Sequence, residues 1–193
     1  MSSHEEQTAN EIARIDKRID DLELVKLRET GRVLRKDIDL IVPVSHSEIF
    51  ISSSSATTIS DTTTFFLVAG TYTQSVSGTD FTHSGGRLTY TGDRAKMFHI
   101  FSSWSFLVAA VNQDMDCGIR KNGTIVTASV IGRRLAVTND LGSSALHSMI
   151  TLKSGDIIDC AVRNTSNENN STFNHLNLAV FSLPDNMTGI AVP

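Results

Sequence analysis

Residues 97–111 read MFHIFSSWSFLVAAV and are apolar almost throughout. A strand with one face in water alternates apolar and polar residues, whereas a run that is mostly apolar is typical of a strand covered on both faces. We therefore expect this stretch to form a central strand of a β-sandwich.

A tight turn is predicted downstream at Lys121-Asn122-Gly123, because Asn-Gly pairs favour two-residue hairpin turns. We expect strands at 116–120 and 123–131 on either side of it. Other strand-like runs, separated by turn residues, occur at 63–73, 88–91, 134–138, 147–152, 157–163 and 176–183.

These runs predict an all-β domain of eight or nine strands with no helix among them. Short strands at this spacing are typical of a sandwich or a jelly roll. The polar residues 52–58 are low in charge, and we expect them to form a loop before the first firm strand.

The N-terminal residues follow a helical period instead. Ile12, Ile15, Ile19 and Leu22 show the 3-4-3 spacing of the a and d positions of a coiled coil, and isoleucine at both positions favours three or four strands over two. Arg18 and Glu23 then flank the seam at g and e. We predict a trimeric stalk, with these six trimerisation residues: Ile12, Ile15, Arg18, Ile19, Leu22 and Glu23.

The stalk is short, because Lys26 occupies the next a position. About 24 Å of helix, at about 1.5 Å per residue, is marginal in isolation. An amphipathic helix packed on its own domain is therefore the alternative. We divide the chain into a stalk (1–30), a collar or an anchor that docks onto a larger assembly (31–46), and a head (47–193).

Composition excludes several function classes. The net charge is −4 without a basic block, so no nucleic-acid partner is expected. There is no run of 18 apolar residues, so no membrane insertion is expected. The acidic, polar start of the chain does not resemble a secretory signal.

No catalytic or metal motif is apparent. Cys117 and Cys160 lie in apolar, strand-like runs, which favours buried free thiols over a bridge or a metal pair. There is no Gly-x-Ser-x-Gly sequence, and the six histidines lack metal-ligand spacing. We predict no enzyme activity, cofactor or metal site. Two alternatives stay open: a calcium site that includes Asp114 and Asp116, and the paired carboxylates of a glycosidase.

Three stretches resemble the C1q/TNF superfamily. Residues 149–162, MITLKSGDIIDCAV, resemble its late leucine-x-x-Gly-Asp-hydrophobic signature, and residues 171–183 are similar to its closing strand. Gly70-Thr71-Tyr72 resembles its early Gly-x-Tyr strand. The resemblance covers residues 47–184 and implies a jelly-roll head that assembles as a homotrimer. The string Arg18–Glu23 also resembles the Arg-hydrophobic-x-x-hydrophobic-Glu motif of three-stranded coiled coils.

A short coiled coil before a Ser/Thr/Asn-rich β-head looks like a bacteriophage fibre, spike or tail-needle knob. This resemblance implies a non-enzymatic virion protein, assembled in the host cytoplasm. Its N-terminus would dock on a capsid or tail protein, and its head would attach to the host cell surface. The alternatives are a capsid decoration, head-fibre or tail-plug protein with a purely structural role, and a bacterial C1q-like module unrelated to viruses.

Residues 163–172, RNTSNENNST, form the most suggestive binding loop. Amides and hydroxyls can hydrogen-bond a host glycan or receptor, although any solvated loop contains them. The candidate ligand-binding residues are Asn164, Asn167, Asn169 and Asn170. We expect the single tryptophan, Trp104, to lie in the core rather than on a sugar-stacking surface.

Overall fold

The computed structural model describes residues 44–183 and seven isolated positions nearer the N-terminus: Arg14, Lys17, Arg18, Leu22, Lys26, Arg28 and Glu29. The chain divides into two compact units, residues 1–43 and 44–193. The seven isolated positions are helical and exposed. Of the predicted trimerisation residues, Ile12, Ile15, Ile19 and Glu23 lie outside the described residues, as do residues 31–43 of the collar. The coiled coil therefore stays a prediction.

Residues 44–183 are almost entirely strand and turn. A single short 3₁₀ turn occurs within this range, at Thr127–Ser129. The strands are β1 (His46–Ser54), β2 (Ala56–Thr57), β3 (Phe66–Leu67), β4 (Gly70–Thr79), β5 (Phe81–Ser84), β6 (Arg87–Tyr90), β7 (Lys96–Val108), β8 (Gln113–Lys121), β9 (Thr124–Ile125), β10 (Ile131–Leu135), β11 (Gly142–Leu152), β12 (Ile157–Asn164) and β13 (Ser171–Ser182).

The strands form two antiparallel sheets. The first sheet has the order β11-β7-β13-β1-β4, and β2 pairs with β13. The second has the order β10-β8-β12-β6-β5, with β3 added on β12 and β9 on β8. Strand β7 lies between β11 and β13, which confirms the internal strand predicted from residues 97–111.

The pairing is that of a jelly roll. Eight strands carry the sandwich: β1, β6, β7, β8, β10, β11, β12 and β13. The first of these pairs with the eighth, the second with the seventh, the third with the sixth and the fourth with the fifth. This nested antiparallel pairing is the double Greek key of a jelly roll, and it confirms the predicted fold class for the head.

The core lies between the two sheets and is filled by alternate residues of each strand. On β7, Phe98, Ile100, Trp104 and Phe106 point inward, and each is at most 3% exposed. Trp104 packs edge-on against Phe173, with ring centroids 5.5 Å apart. The prediction that Trp104 belongs to the core is therefore confirmed.

Both cysteines are buried free thiols, as predicted. Burial raises the pKa of Cys160 to about 12 and raises that of Cys117 well above its ordinary value. Since the thiolate is the nucleophilic form, neither thiol is poised for covalent chemistry.

The two ends of the sandwich differ. Backbone hydrogen bonds join the loops 109–112, 136–141 and 165–170 to neighbouring strand ends at what we call the distal end: Asn112 N to Ala136 O (3.3 Å), Asn139 N to Val108 O (3.2 Å) and Thr165 N to Asp114 O (2.9 Å). Val44, the first described residue of the head, lies at the opposite end of the sandwich, which we call the proximal end. The turns 121–123 and 153–156 also lie at that end, where Asn122 N donates to Ile157 O (2.8 Å).

Two predictions near the start of the head are wrong. Residues 52–58 are largely strand rather than loop, because β4 pairs with β1 as far as Ser54 and the hydroxyls there are satisfied across the pair. For example, Ser52 Oγ donates to Thr71 O at 3.2 Å. The predicted strand at 63–73 is broken, because the Thr63 and Thr64 N–H groups turn back to the carboxylate of Asp61.

The Asn122-Gly123 hairpin is confirmed, with φ values of 52° and 79° that suit a type I′ turn. The long strand predicted at 123–131 is wrong: β9 ends at Ile125, and the 3₁₀ turn follows. Ser129 Oγ accepts the Ile119 N–H at 2.8 Å, so a side chain replaces the backbone ladder at this point.

Ion pairs line the outer face of the second sheet. Arg120 binds Asp159 through both Nε (2.7 Å) and Nη2 (3.0 Å), and Arg87 approaches the same carboxylate at 3.4 Å. The side chain of Asp159 is only 2% exposed and that of Arg120 is 12% exposed. Each buried charge is compensated by its partner, so removal of one partner is expected to lower the stability of the fold.

Candidate functional site

The outer face of the first sheet is the candidate site. Strand alternation places odd-numbered residues of β7, β11 and the second half of β13, and even-numbered residues of β1, outward. The strand registers align them in rows across the sheet. One row contains Met149, His99, Phe181 and His46, and the next contains His147, Phe101, Ala179 and Glu48. We call these eight residues the aromatic face.

The rings of the aromatic face are ordered by mutual contact. Phe101 and Phe181 are stacked, with centroids 5.7 Å apart and planes 2° apart. His46 stacks on the other side of Phe181 at 6.1 Å. His99 contacts both Phe101 (5.8 Å) and His147 (5.4 Å). A continuous ring ladder therefore crosses four strands.

Much of the aromatic face is open to solvent in the single chain. Phe101 is 36% exposed, Phe181 is 43% exposed and Met149 is 55% exposed. Large apolar side chains that lie side by side on a sheet, rather than scattered singly, are typical of an interaction surface.

Small residues continue the face toward the distal end. Ser103 lies opposite Ala145, and Ser105 lies opposite Ser143. Ser103 and Ala145, together with Phe101 and His147, line an open depression of about 370 Å³ between β7 and β11. The hydroxyl of Ser105 has no hydrogen-bond partner within the described residues. A raised aromatic ladder thus adjoins a depression of small side chains.

A polar group borders the ladder on β1. Glu48 accepts hydrogen bonds from Asn177 Nδ2 and, at 2.5 Å, from Ser75 Oγ. His46 Nδ1 lies 2.7 Å from Val44 O. Since a carbonyl only accepts, Nδ1 is the donor in this hydrogen bond.

The predicted ligand-binding residues are brought together in one distal loop, but Asn164 is fully buried. Its Nδ2 donates to Gln113 Oε1 at 2.8 Å and to Asn167 Oδ1 at 3.1 Å, and its Oδ1 accepts the Ser166 N–H at 3.0 Å. Asn164 therefore orders the loop and presents no polar group to a ligand.

The other three asparagines lie nearer the surface. Asn167 Oδ1 accepts the Asn169 N–H at 2.9 Å, and both side chains are half-buried. Asn170 is exposed, although its Oδ1 accepts the Ile59 N–H at 3.1 Å. Among the candidates, Asn170 is the most accessible.

Sequence reasoning missed an aliphatic patch at the distal end. Val111, Val137 and Leu141 are 54%, 60% and 55% exposed, and they lie on the loops 109–112 and 136–141. The positive φ values of Asn112 (54°) and Asn139 (60°) mark these turns. Short loops with isolated aliphatic residues carry no periodic signal, so these three residues could not be grouped from the sequence alone.

The side chains that were considered for chemistry have structural partners. Asp116 accepts a 2.6 Å bond from Arg163, and Asp114 lies 3.8 Å from Arg134. Within the described part of the chain, no group of three His, Cys, Asp or Glu side chains is arranged to hold a metal ion. None of the described helical residues belongs to a helix long and apolar enough to cross a membrane.

The sequence matches no protein-family model and no curated protein. Among solved structures, Eiger TNF from S. frugiperda is 13% identical, with 78% of this chain and 97% of that chain covered and a TM-score of 0.49. Murine APRIL is also 13% identical, covering 73% of this chain and 100% of that chain at a TM-score of 0.46. The PRD1 vertex protein P5 is 12% identical, covering 72% and 96% at 0.42. These similarities concern the path of the chain and assign no function.

Proposed function

We propose that this chain is a non-enzymatic, homotrimeric structural protein of a bacteriophage virion. Its N-terminal segment docks on a capsid or tail protein, and the jelly-roll head attaches to the host cell surface. The coiled-coil pattern, the resemblance to fibre heads and the geometry of the first sheet support this proposal.

The aromatic face carries the trimer part of the proposal. A second copy is the occupant that fits it, because the face combines a protruding ring ladder with an adjoining depression of small residues. His46 and Glu48 of β1 also belong to the face, which therefore extends across four strands of the head.

Native mass spectrometry tests the trimer. We expect a species near three times 21.0 kDa for the full chain. A chain shortened to begin at residue 44 should also form trimers, because the head supplies its own interface. A monomer in both cases would contradict the proposal, whereas a trimer of the full chain alone would place the contact in the stalk.

We assign attachment to the host cell surface to the distal end of the head, because both the Asn-rich loop and the aliphatic patch lie there. Three heads on one axis present this surface three times, so that weak single-site binding gains avidity by about 10²- to 10⁴-fold. Exposed amide and hydroxyl groups suit a glycan, and Val111, Val137 and Leu141 suit the apolar faces of sugars or a protein receptor.

Scrambling residues 165–170 should abolish binding of the purified trimer to host cells without altering its mass. Asn164 is kept, because its buried amide holds the loop. The matched control exchanges Lys153 and Ser154, both exposed at the proximal end, and should bind as the parent does. Unchanged binding of the scrambled trimer, measured by flow cytometry, would exclude this loop as the attachment site.

The alternative is a capsid decoration, head-fibre or tail-plug protein with a purely structural role. It uses the same trimer but recognises nothing on the host. A trimer that binds no candidate host cell, yet adds to particles that lack it, would favour this alternative.

A further inference from the structure

Four of the six histidines of the chain lie on the outer side of the first sheet. His46 is on β1, His99 on β7, His147 on β11 and His175 on β13. Three of them belong to the aromatic face, and His175 lies opposite Ser105 at its small-residue end. A surface of otherwise aromatic and small side chains therefore carries four imidazoles, and histidine is the residue type that most often serves as a pH-sensitive group in proteins.

One acid is the only other ionisable group found beside these histidines among the described outward side chains of β1, β4, β7, β11 and β13. This acid is Glu48. Its two oxygens already accept bonds from Asn177 and Ser75. Lys96, the other charged residue of these strands, points inward and binds Ser45 Oγ at 2.8 Å. Protonation of the histidines would thus leave this surface with a positive charge that one carboxylate cannot balance.

We propose that the trimer formed through the aromatic face is acid-labile: it is stable while the four histidines are neutral and dissociates when they are protonated. This inference rests on the homotrimer proposed above. Packing a second copy on the face removes water from the imidazoles, and desolvation disfavours their charged form. The close contact of His99 with His147 adds like-charge repulsion within each copy, and three copies bring twelve such rings into one interface.

The sign of the effect follows from linkage. If association disfavours protonation, the free monomer binds more protons than the trimer does at acidic pH. Lowering the pH then shifts the equilibrium toward monomer. The β-sandwich of each subunit has its own core and is expected to remain folded, so acid separates copies rather than unfolding them.

Sedimentation velocity on the full chain at about pH 8 and about pH 5.5, over a series of subunit concentrations, tests this inference. We expect the concentration at which half of the subunits are trimeric to rise by at least about tenfold at the lower pH. The double variant His99→Gln with His147→Gln should lose most of this response. His83→Gln is the matched control, because His83 is exposed on β5 of the other sheet.

The outcomes are distinguishable. A monomer at about pH 8 would overturn the proposed trimer itself. A trimer that is equally stable at both pH values would overturn acid lability and leave the trimer standing. A full pH response in the double glutamine variant, or its loss in His83→Gln, would remove the assignment to this face. Far-UV circular dichroism at the lower pH checks folding, and loss of the β signal there would overturn the claim that acid only separates copies.

Discussion

The Phe101→Asp variant should be monomeric at concentrations where the parent chain is trimeric. Phe101 stacks on Phe181 and contacts His99 near the centre of the aromatic face. Packing copies on this face would bury one new carboxylate from each of them. Burying an unpaired charge costs several kcal/mol per ion, which corresponds to a loss of about 10³-fold or more in association.

The same substitution should leave the subunit folded, because Phe101 is 36% exposed and points away from the core. Sedimentation velocity gives the oligomeric state, and circular dichroism gives the fold. Val137→Asp is the matched control: it places the same charge on an exposed apolar residue of the distal end and should stay trimeric. A trimeric Phe101→Asp variant would show that copies associate through another surface.

The two proposed roles of the head are physically separate. The aromatic face lies on the side of the first sheet, whereas the Asn-rich loop and the aliphatic patch lie at the distal end. Variants at the distal end should therefore leave the trimer intact. Variants on the aromatic face that dissociate the trimer should weaken cell binding as well, because the avidity of three weak sites is lost.

The all-β class of the head and its internal strand could be predicted from the sequence. The run 97–111 carries a strong local signal because its apolar composition is typical of an internal strand. The Asn122-Gly123 pair carries another, because it favours a two-residue hairpin turn. The jelly roll itself required the resemblance, because strand order depends on pairings between residues far apart in the chain.

Two of the wrong strand predictions occurred where side-chain hydroxyl groups form hydrogen bonds to a neighbouring strand. Across β1 and β4, Thr73 Oγ1 donates to Ser52 Oγ, and Ser52 Oγ donates to Thr71 O. These bonds let a Ser/Thr-rich segment continue as a strand. Ser129 takes the place of a strand partner at Ile119, which ends β9 early. Such side-chain hydrogen bonds leave no periodic pattern in the sequence, so strand propensity alone does not locate them.

The aromatic face was not predicted for a different reason. Its members come from four strands spread over residues 46–181, and within each strand they appear as ordinary alternation. His147 and Phe181 lie beside His99, but neither could be assigned to it without the strand register. Only the aligned rows of β1, β13, β7 and β11 bring the face together.

The Asp159→Ala variant should lose about 3–5 kcal/mol of unfolding free energy, the usual result of removing one partner of a buried ion pair. Arg120 would keep only its bond to Phe65 O, at 3.0 Å, with its guanidinium mostly shielded from water. Urea denaturation at one fixed subunit concentration measures the loss, because association of copies adds to apparent stability.

Asp114→Ala is the control, since Asp114 and Arg134 are 48% and 65% exposed and lie 3.8 Å apart. Exposed pairs contribute about 1 kcal/mol or less, so this variant should denature almost as the parent does. Replacing both buried partners, as Arg120→Met with Asp159→Leu, should recover much of the loss, because no charge is then left unpaired. If Asp159→Ala lowered the unfolding free energy no more than Asp114→Ala does, water would have to reach the guanidinium of Arg120. This side chain would then be less shielded than its 12% exposure indicates.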